Sequence, residues 1–186
     1  MDRNLKIAHL SSAHPRDDQR ILARQCVSLA RAGHDVHLVV ADGRGAGETD
    51  GVRIHDTGCP TGRLERAVLA ARRVAAAAAA LRPDIVQLHD PELLPQAGRL
   101  RRAGARVIYD AHEDLPRQTL SKPYLAPPVA RGVSAAAARY LAWIAPRLDG
   151  IVAATPHIAA QFAALNPQTV TVRNYPRTSH LPETPD

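Results

Sequence analysis

A chain of 186 residues sits within the usual range for one domain with one substantial core. The net charge of +6 rests almost wholly on arginine, because Lys6 and Lys122 are the two lysines; it admits an anionic partner such as phosphate, nucleic acid or a lipid headgroup. Aromatic residues make up only 3% and no helix-turn-helix or RNP-like motif occurs, which argues against nucleic acid; no apolar run approaches the roughly 20 residues of a membrane-spanning helix.

The elements alternate between short strand-like and longer helix-like segments, as βαβ units do. Residues 5–10 read as a buried first strand. Asp17 and Asp18 offer a helix N-cap, and Leu22, Cys26, Leu29 and Ala30 then share one face before Gly33 ends the helix. Cys26 lies on that apolar stripe and Cys59 is far from it, without C-x-x-C spacing, so both read as reduced thiols. Residues 36–40 give a second strand, residues 42–51 a Gly-rich loop, and residues 52–55 a shorter edge strand. A helix over residues 64–81 is ended by Pro83. Residues 84–88 form a fourth strand, residues 92–102 a helix closed by Gly104, and residues 106–109 a fifth strand. Residues 111–128 hold four prolines and no clean period, and so long a loop inside a compact domain reads as functional. A helix over 133–144, a strand over 150–153, a helix opened by Thr155 and Pro156, and a strand over 169–172 complete the domain near Tyr175. Residues 177–186 have the composition of a linker or tail.

The fold class expected is therefore α/β: a doubly wound, Rossmann-like, mostly parallel sheet of about seven strands. Ligands of such sheets bind beyond the carboxyl ends of the strands. The first of these ends, residues 11–18, contains no glycine, which disfavours a dinucleotide pyrophosphate site. A G-x-S-x-G nucleophile elbow is likewise absent. Strands four and five end in His89-Asp90-Pro91-Glu92 and Asp110-Ala111-His112-Glu113-Asp114. Two neighbouring strands thus bring two histidines and five carboxylates to one rim. Ion pairs with arginines would explain any one of them; the cluster suits recognition of sugar hydroxyls, with a histidine to donate a hydrogen bond or move a proton. A divalent metal on His89, Asp90, Asp110 and His112 is the weaker reading, since H-x-x-x-H spacing and cysteine ligands are missing.

Residues 9–18 (HLSSAHPRDD), 88–95 (LHDPELLP), 109–116 (YDAHEDLP) and 172–176 (VRNYP) together resemble the amino-terminal domain of family 4 retaining glycosyltransferases of the GT-B type. The matching subgroup is associated with bacterial surface and exopolysaccharide assembly. The resemblance implies transfer of a sugar from a nucleotide-sugar donor to a hydroxyl of a glycan or lipid-linked acceptor, with no cofactor and no bound metal. It implies a catalytic role for His112 at the reacting centre and substrate contacts for His14, Asp17, Asp18, His89, Asp90, Glu92, Glu113 and Asp114. Asn174 and Pro176 match the crossover into a carboxy-terminal domain that holds most of the nucleotide, so residues 1–176 are expected to be an acceptor-side half that is inactive alone. A non-catalytic acceptor-binding or membrane-recruiting subunit of a split transferase is the alternative, and a nucleotide-sugar epimerase a third reading. Arg63, Arg66 and Arg73 fall near one face of the helix over 64–81. They read either as a solvated cationic face or as a contact with an anionic membrane; the reduced thiols imply a cytoplasmic protein, and the membrane contact would make it peripheral on the inner face of the plasma membrane.

Overall fold

The computed structural model describes residues 4–62 and 65–175. Its centre is an eight-stranded sheet of order β3-β4-β2-β1-β5-β6-β7-β8, parallel except where β3 meets β4. The strands are β1 (Lys6–Leu10), β2 (Asp35–Val40), β3 (Gly47–Thr49), β4 (Val52–Asp56), β5 (Ile85–Leu88), β6 (Arg106–Ala111), β7 (Gly150–Ala153) and β8 (Thr169–Thr171). The central strands are short apolar runs buried on both faces, as parallel strands must be.

Helices connect them. Helix α1 is π-wound over Gln19–Cys26 and regular over Val27–Arg31, and α2 is π-wound over Arg66–Ala70 and regular over Ala71–Ala80. Helix α3 starts as a 3₁₀ turn at Pro91–Gln96 and becomes regular over Ala97–Arg102. Pro95 explains that start, because it lacks the N–H that an α-helix would need inside its second turn. Helix α4 (Leu115–Leu120), α5 (Pro127–Ile144) and α6 (Pro156–Ala163) follow.

Alternation along each strand sorts the core into two layers. Val39, Leu10, Val86, Leu88, Tyr109 and Ile151 pack under Val74, Leu94, Leu100, Ile144 and Phe162 of α2, α3, α5 and α6. Val36, Leu38, Val40, Val52 and Ile54 face the other way, onto Ile21, Leu22, Cys26 and Val27 of α1. On that second face the far strands are less covered: Ile108 and Val152 are half-buried and Val170 is 55% exposed.

Three expectations change in detail. The Gly-rich loop contains an eighth strand, β3, because Asp50 and Gly51 both take positive φ, 50° and 77°, and so form the tight turn of a hairpin. The segment 111–128 holds α4, capped by the Asp114 carboxylate, which accepts from Arg117 N at 3.1 Å. Helix α5 begins six residues before the expected 133, at Pro127, since two prolines fit a first helical turn whose N–H groups need no partner.

Candidate active site

The carboxyl ends of β1, β5 and β6 lie side by side and deliver their polar residues to one cavity of about 130 Å³. His14, His89, Pro91, Tyr109, His112 and Glu113 line it, with Leu115 and Gln118 of α4 at one side. The site is built on two buried carboxylates with different tasks.

Asp90 shapes the loop after β1. One of its oxygens accepts from Ser12 N at 2.6 Å, Ala13 N at 3.0 Å and Ser11 Oγ at 3.0 Å. Its other oxygen meets His14 Nδ1 at 2.7 Å. A buried anion thus replaces glycine as the device that bends this turn. The Asp90 hydrogen bond raises the pKa of His14, favouring the imidazolium, and leaves the other ring nitrogen to the cavity. Burial by itself would raise Asp90, but the hydrogen bond from His14 and those from the Ser12 backbone and Ser11 keep it below the usual carboxylate range.

Asp110, fully buried, anchors the histidines. Arg20 of α1 forks onto it through Nη2 at 2.6 Å and Nε at 3.2 Å, and Gln25 Nε2 reaches Oδ2 at 2.5 Å. On the same oxygen converge His112 Nε2 at 3.0 Å and His89 Nδ1 at 3.3 Å. Burial opposes the charge, yet the hydrogen bonds of His112, His89 and Arg20 hold Asp110 well below the ordinary carboxylate range. An ionised carboxylate only accepts, so each histidine meets it with an N–H. His89 Nδ1 and His112 Nε2 also lie 3.1 Å apart, so the two rings and the Asp110 oxygen form one close triangle.

That assignment propagates in both directions. His112, with its Nε2 on Asp110, lines the cavity with the rest of its ring. His89 Nε2 becomes an acceptor for His9 Nδ1 at 2.9 Å, and the His9 Nε2 that remains is buried without a partner, a bare lone pair rather than a stranded donor. Burial pushes the pKa of His9 down to about 3 and that of His89 down as well, so both stay neutral.

His89, Asp110 and His112 also place three ligand atoms within 4.8 Å of one another, a spacing that a divalent cation can span. Two features oppose occupancy. The Asp110 oxygen in question already accepts from Gln25, and the Arg20 guanidinium lies 3.2 Å from it, so an ion would meet a fixed positive charge. Asp90, the fourth ligand weighed from sequence, is turned away onto residues 11–14.

Of the residues singled out from sequence, His14, His89, His112 and Glu113 line the cavity, and Glu113 accepts a hydrogen bond from Gln118. The others do not line it. Asp17 is exposed and paired with Arg44 at 3.0 Å. Asp18 caps α1, accepting from Arg20 N at 2.8 Å and Ile21 N at 2.9 Å. Asp114 caps α4 and accepts from Gln161 at 2.7 Å, and Glu92 is half-buried in the first turn of α3. Arg63 lies outside the described residues, as does the side chain of Arg66, whereas Arg73 is exposed and paired with Glu65 at 3.3 Å. His9, Arg20, Gln25 and Gln87 were not legible as site residues, although His9 and Gln87 interrupt apolar strands, which is the one signal that a polar network crosses the core.

This fold, with its polar edge at the strand carboxyl ends, is one half of the GT-B architecture of sugar transferases. The chain belongs to the glycosyl transferase 4-like domain family, whose model matches residues 19–176. Among solved structures it is similar to sucrose-phosphate synthase from Thermosynechococcus elongatus, with 14% identity, 90% of this chain and 47% of that chain covered, and a TM-score of 0.65. The catalytic domain of starch synthase IV from Arabidopsis thaliana, bound to ADP and acarbose, gives 12% identity, 92% and 52% coverage, and a TM-score of 0.55. A glycosyltransferase from Rickettsia africae gives 13% identity, 91% and 43% coverage, and a TM-score of 0.55. The chain thus spans about half the length of these structures, and at such identities the likeness is one of fold. No curated protein matches the sequence directly.

Proposed function

We propose that the domain is the acceptor-side half of a retaining glycosyltransferase that moves a sugar from a nucleoside-diphosphate donor to a hydroxyl of a glycan or lipid-linked acceptor in surface polysaccharide assembly. The observation that carries the reading is the cavity between β1, β5 and β6, where His112 and His14 face the same space, each with one ring nitrogen against a buried aspartate. His112, locked to Asp110 through Nε2, offers Nδ1 as an acceptor for a sugar hydroxyl. His14, whose imidazolium form the Asp90 hydrogen bond favours, offers an N–H in that form to an anionic oxygen or a second hydroxyl. A volume of about 130 Å³ suits one sugar ring rather than a nucleotide, which fits a donor whose nucleotide is held elsewhere. Peripheral association with an anionic membrane is part of this reading, in keeping with a lipid-linked acceptor. Within the described residues no helix is long and apolar enough to cross a membrane.

The test is to titrate the 186-residue chain with UDP-, GDP- and ADP-sugars by calorimetry and to repeat it on a chain extended by any coding sequence that follows. Binding and turnover confined to the extended form support an acceptor-side half; tight nucleotide binding by the shorter chain would reverse the assignment of the halves. In the extended enzyme, His112→Ala should lower transfer about 100-fold or more while the circular dichroism spectrum is unchanged. Near-normal turnover of that variant would remove His112 from the reacting centre.

A further inference from the structure

A second groove, about 460 Å³, lies away from the polar cavity, between α3 and α5. Its walls are Leu94, Pro95, Ala97 and Ile144, with Tyr140 and Trp143 of α5 on one side and Arg101 and Arg147 at the rim. The Tyr140 hydroxyl is buried there without a hydrogen-bond partner, and the Arg147 guanidinium stacks over the Trp143 ring at 4.4 Å.

The groove continues a stripe along α5. Val129, Val133, Ala136, Tyr140, Trp143 and Arg147 recur at three- and four-residue spacing and so share one side of the helix. Val129 is 52% exposed, Val133 45% and Trp143 54%. Only Ala130, Leu141 and Ile144 of this 18-residue helix are buried, although most of its residues are apolar. Leu120 of α4 and Tyr124 extend the exposed apolar surface. Exposed apolar area of this extent calls for something to cover it.

Charge identifies the cover. The chain has 18 acidic residues, yet none lies between Leu115 and Leu148, where Arg117, Lys122, Arg131, Arg139 and Arg147 all fall. Asp149 beside Arg101 and Asp114 beside Arg117 flank the surface, and between them Trp and Tyr set among aliphatic side chains and guanidinium groups match the headgroup boundary of an anionic bilayer. We propose that α4, residues 121–126 and the exposed stripe of α5 form a one-sided contact with an anionic phospholipid leaflet, with the α3–α5 groove taking part of an acyl chain. This deepens the membrane association suggested above and rests on it, but places the contact on α5 rather than on the arginines of α2. It does not depend on which sugar is transferred.

Trp143 is the single tryptophan, so its fluorescence reports on this surface alone. Phosphatidylcholine vesicles containing phosphatidylglycerol should shift its emission to the blue, and lipids brominated on the acyl chain should quench it; pure phosphatidylcholine should do neither. Val133→Asp and Arg147→Glu should each weaken vesicle partitioning about tenfold. Ala135→Asp, on the opposite exposed side of the same helix, should leave partitioning unchanged and serve as the folding control. Equal partitioning of Val133→Asp and the parent would overturn the proposal. So would loss of binding with Arg73→Glu alone, which would keep the membrane association and move it to α2. A blue shift that depends on protein concentration without lipid would show a second copy on the stripe, and Trp143 shielded from iodide in an extended chain would show polypeptide there; both also overturn it.

Discussion

Asp110 is the side chain on which the rest of the polar site depends, because Arg20, Gln25, His89 and His112 all turn towards it. Arg20 is only 7% exposed, so removing the carboxylate would strand a buried guanidinium. Asp110→Ala should therefore lose about 3–5 kcal/mol in urea unfolding, more than truncation of an apolar neighbour of similar size would explain. A loss under about 1 kcal/mol would mean that water reaches Arg20 and screens it. The same crowded oxygen decides the metal question. Equimolar zinc should leave the unfolding midpoint unchanged, and a clear rise would show that a cation displaces the Gln25 and Arg20 hydrogen bonds. That His14, His89, His112 and Glu113 would share one cavity was legible, because the strand ends of a parallel sheet gather at one edge. The places of His9 and Arg20 were not, since nothing local says that His9 will meet His89 or that Arg20 will meet Asp110 across a long stretch of chain.

Among the secondary-structure elements, the acidic residues near strand ends divide between the cavity and helix capping. Asp18 and Asp114 stand at helix starts and accept from backbone N–H groups of the first turn. Asp18→Ala should cost about 1 kcal/mol, whereas Asp18→Asn, which caps as well, should cost a few tenths at most. If Asp18 also touches a substrate through its charge, the asparagine variant will bind more weakly with stability intact, so the pair of variants separates the two roles. Residues with helix and strand periods were placed correctly by pattern. Where backbone chemistry overrode pattern, as at Asp50-Gly51, Pro95 and Pro127, the residues responsible were visible and their rules were local.

Across the whole molecule, histidine burial links stability to pH. Burial lowers the pKa of His9, His37, His55 and His89 from the ordinary 6.5, in the last with Asp110 opposing it. The unfolded chain therefore takes up protons that the folded chain refuses, and stability falls as pH drops below about 6.5. His14 acts in the opposite sense: its contribution is complete below its unfolded pKa and is lost as pH rises through its raised folded value. Asp42, lowered to about 2 mainly by Arg16, and Asp90 and Asp110, lowered by their partners against burial, add a separate loss below the ordinary 3.8. Urea midpoints followed from neutral pH downwards should decline in two stages, histidine first; a flat profile down to the carboxylate range would show that these imidazoles are hydrated.

The order of strands and helices, the parallel sheet, the family and the edge that carries the polar cavity all follow from the linear sequence, because periodicity, caps and the geometry of βα turns are properties of neighbouring residues. Which of the charged groups at that edge face the cavity was settled only by tertiary structure. Asp90 folds back on residues 11–14, Arg20 reaches Asp110, and His9 meets His89 on a neighbouring strand, since each of those contacts closes a long loop in sequence and depends on where the sheet brings its strands together. The exposed stripe of α5 has the same origin. Its residues are apolar enough for a core, and only the packing of α5 on the sheet reveals which of them the core leaves outside.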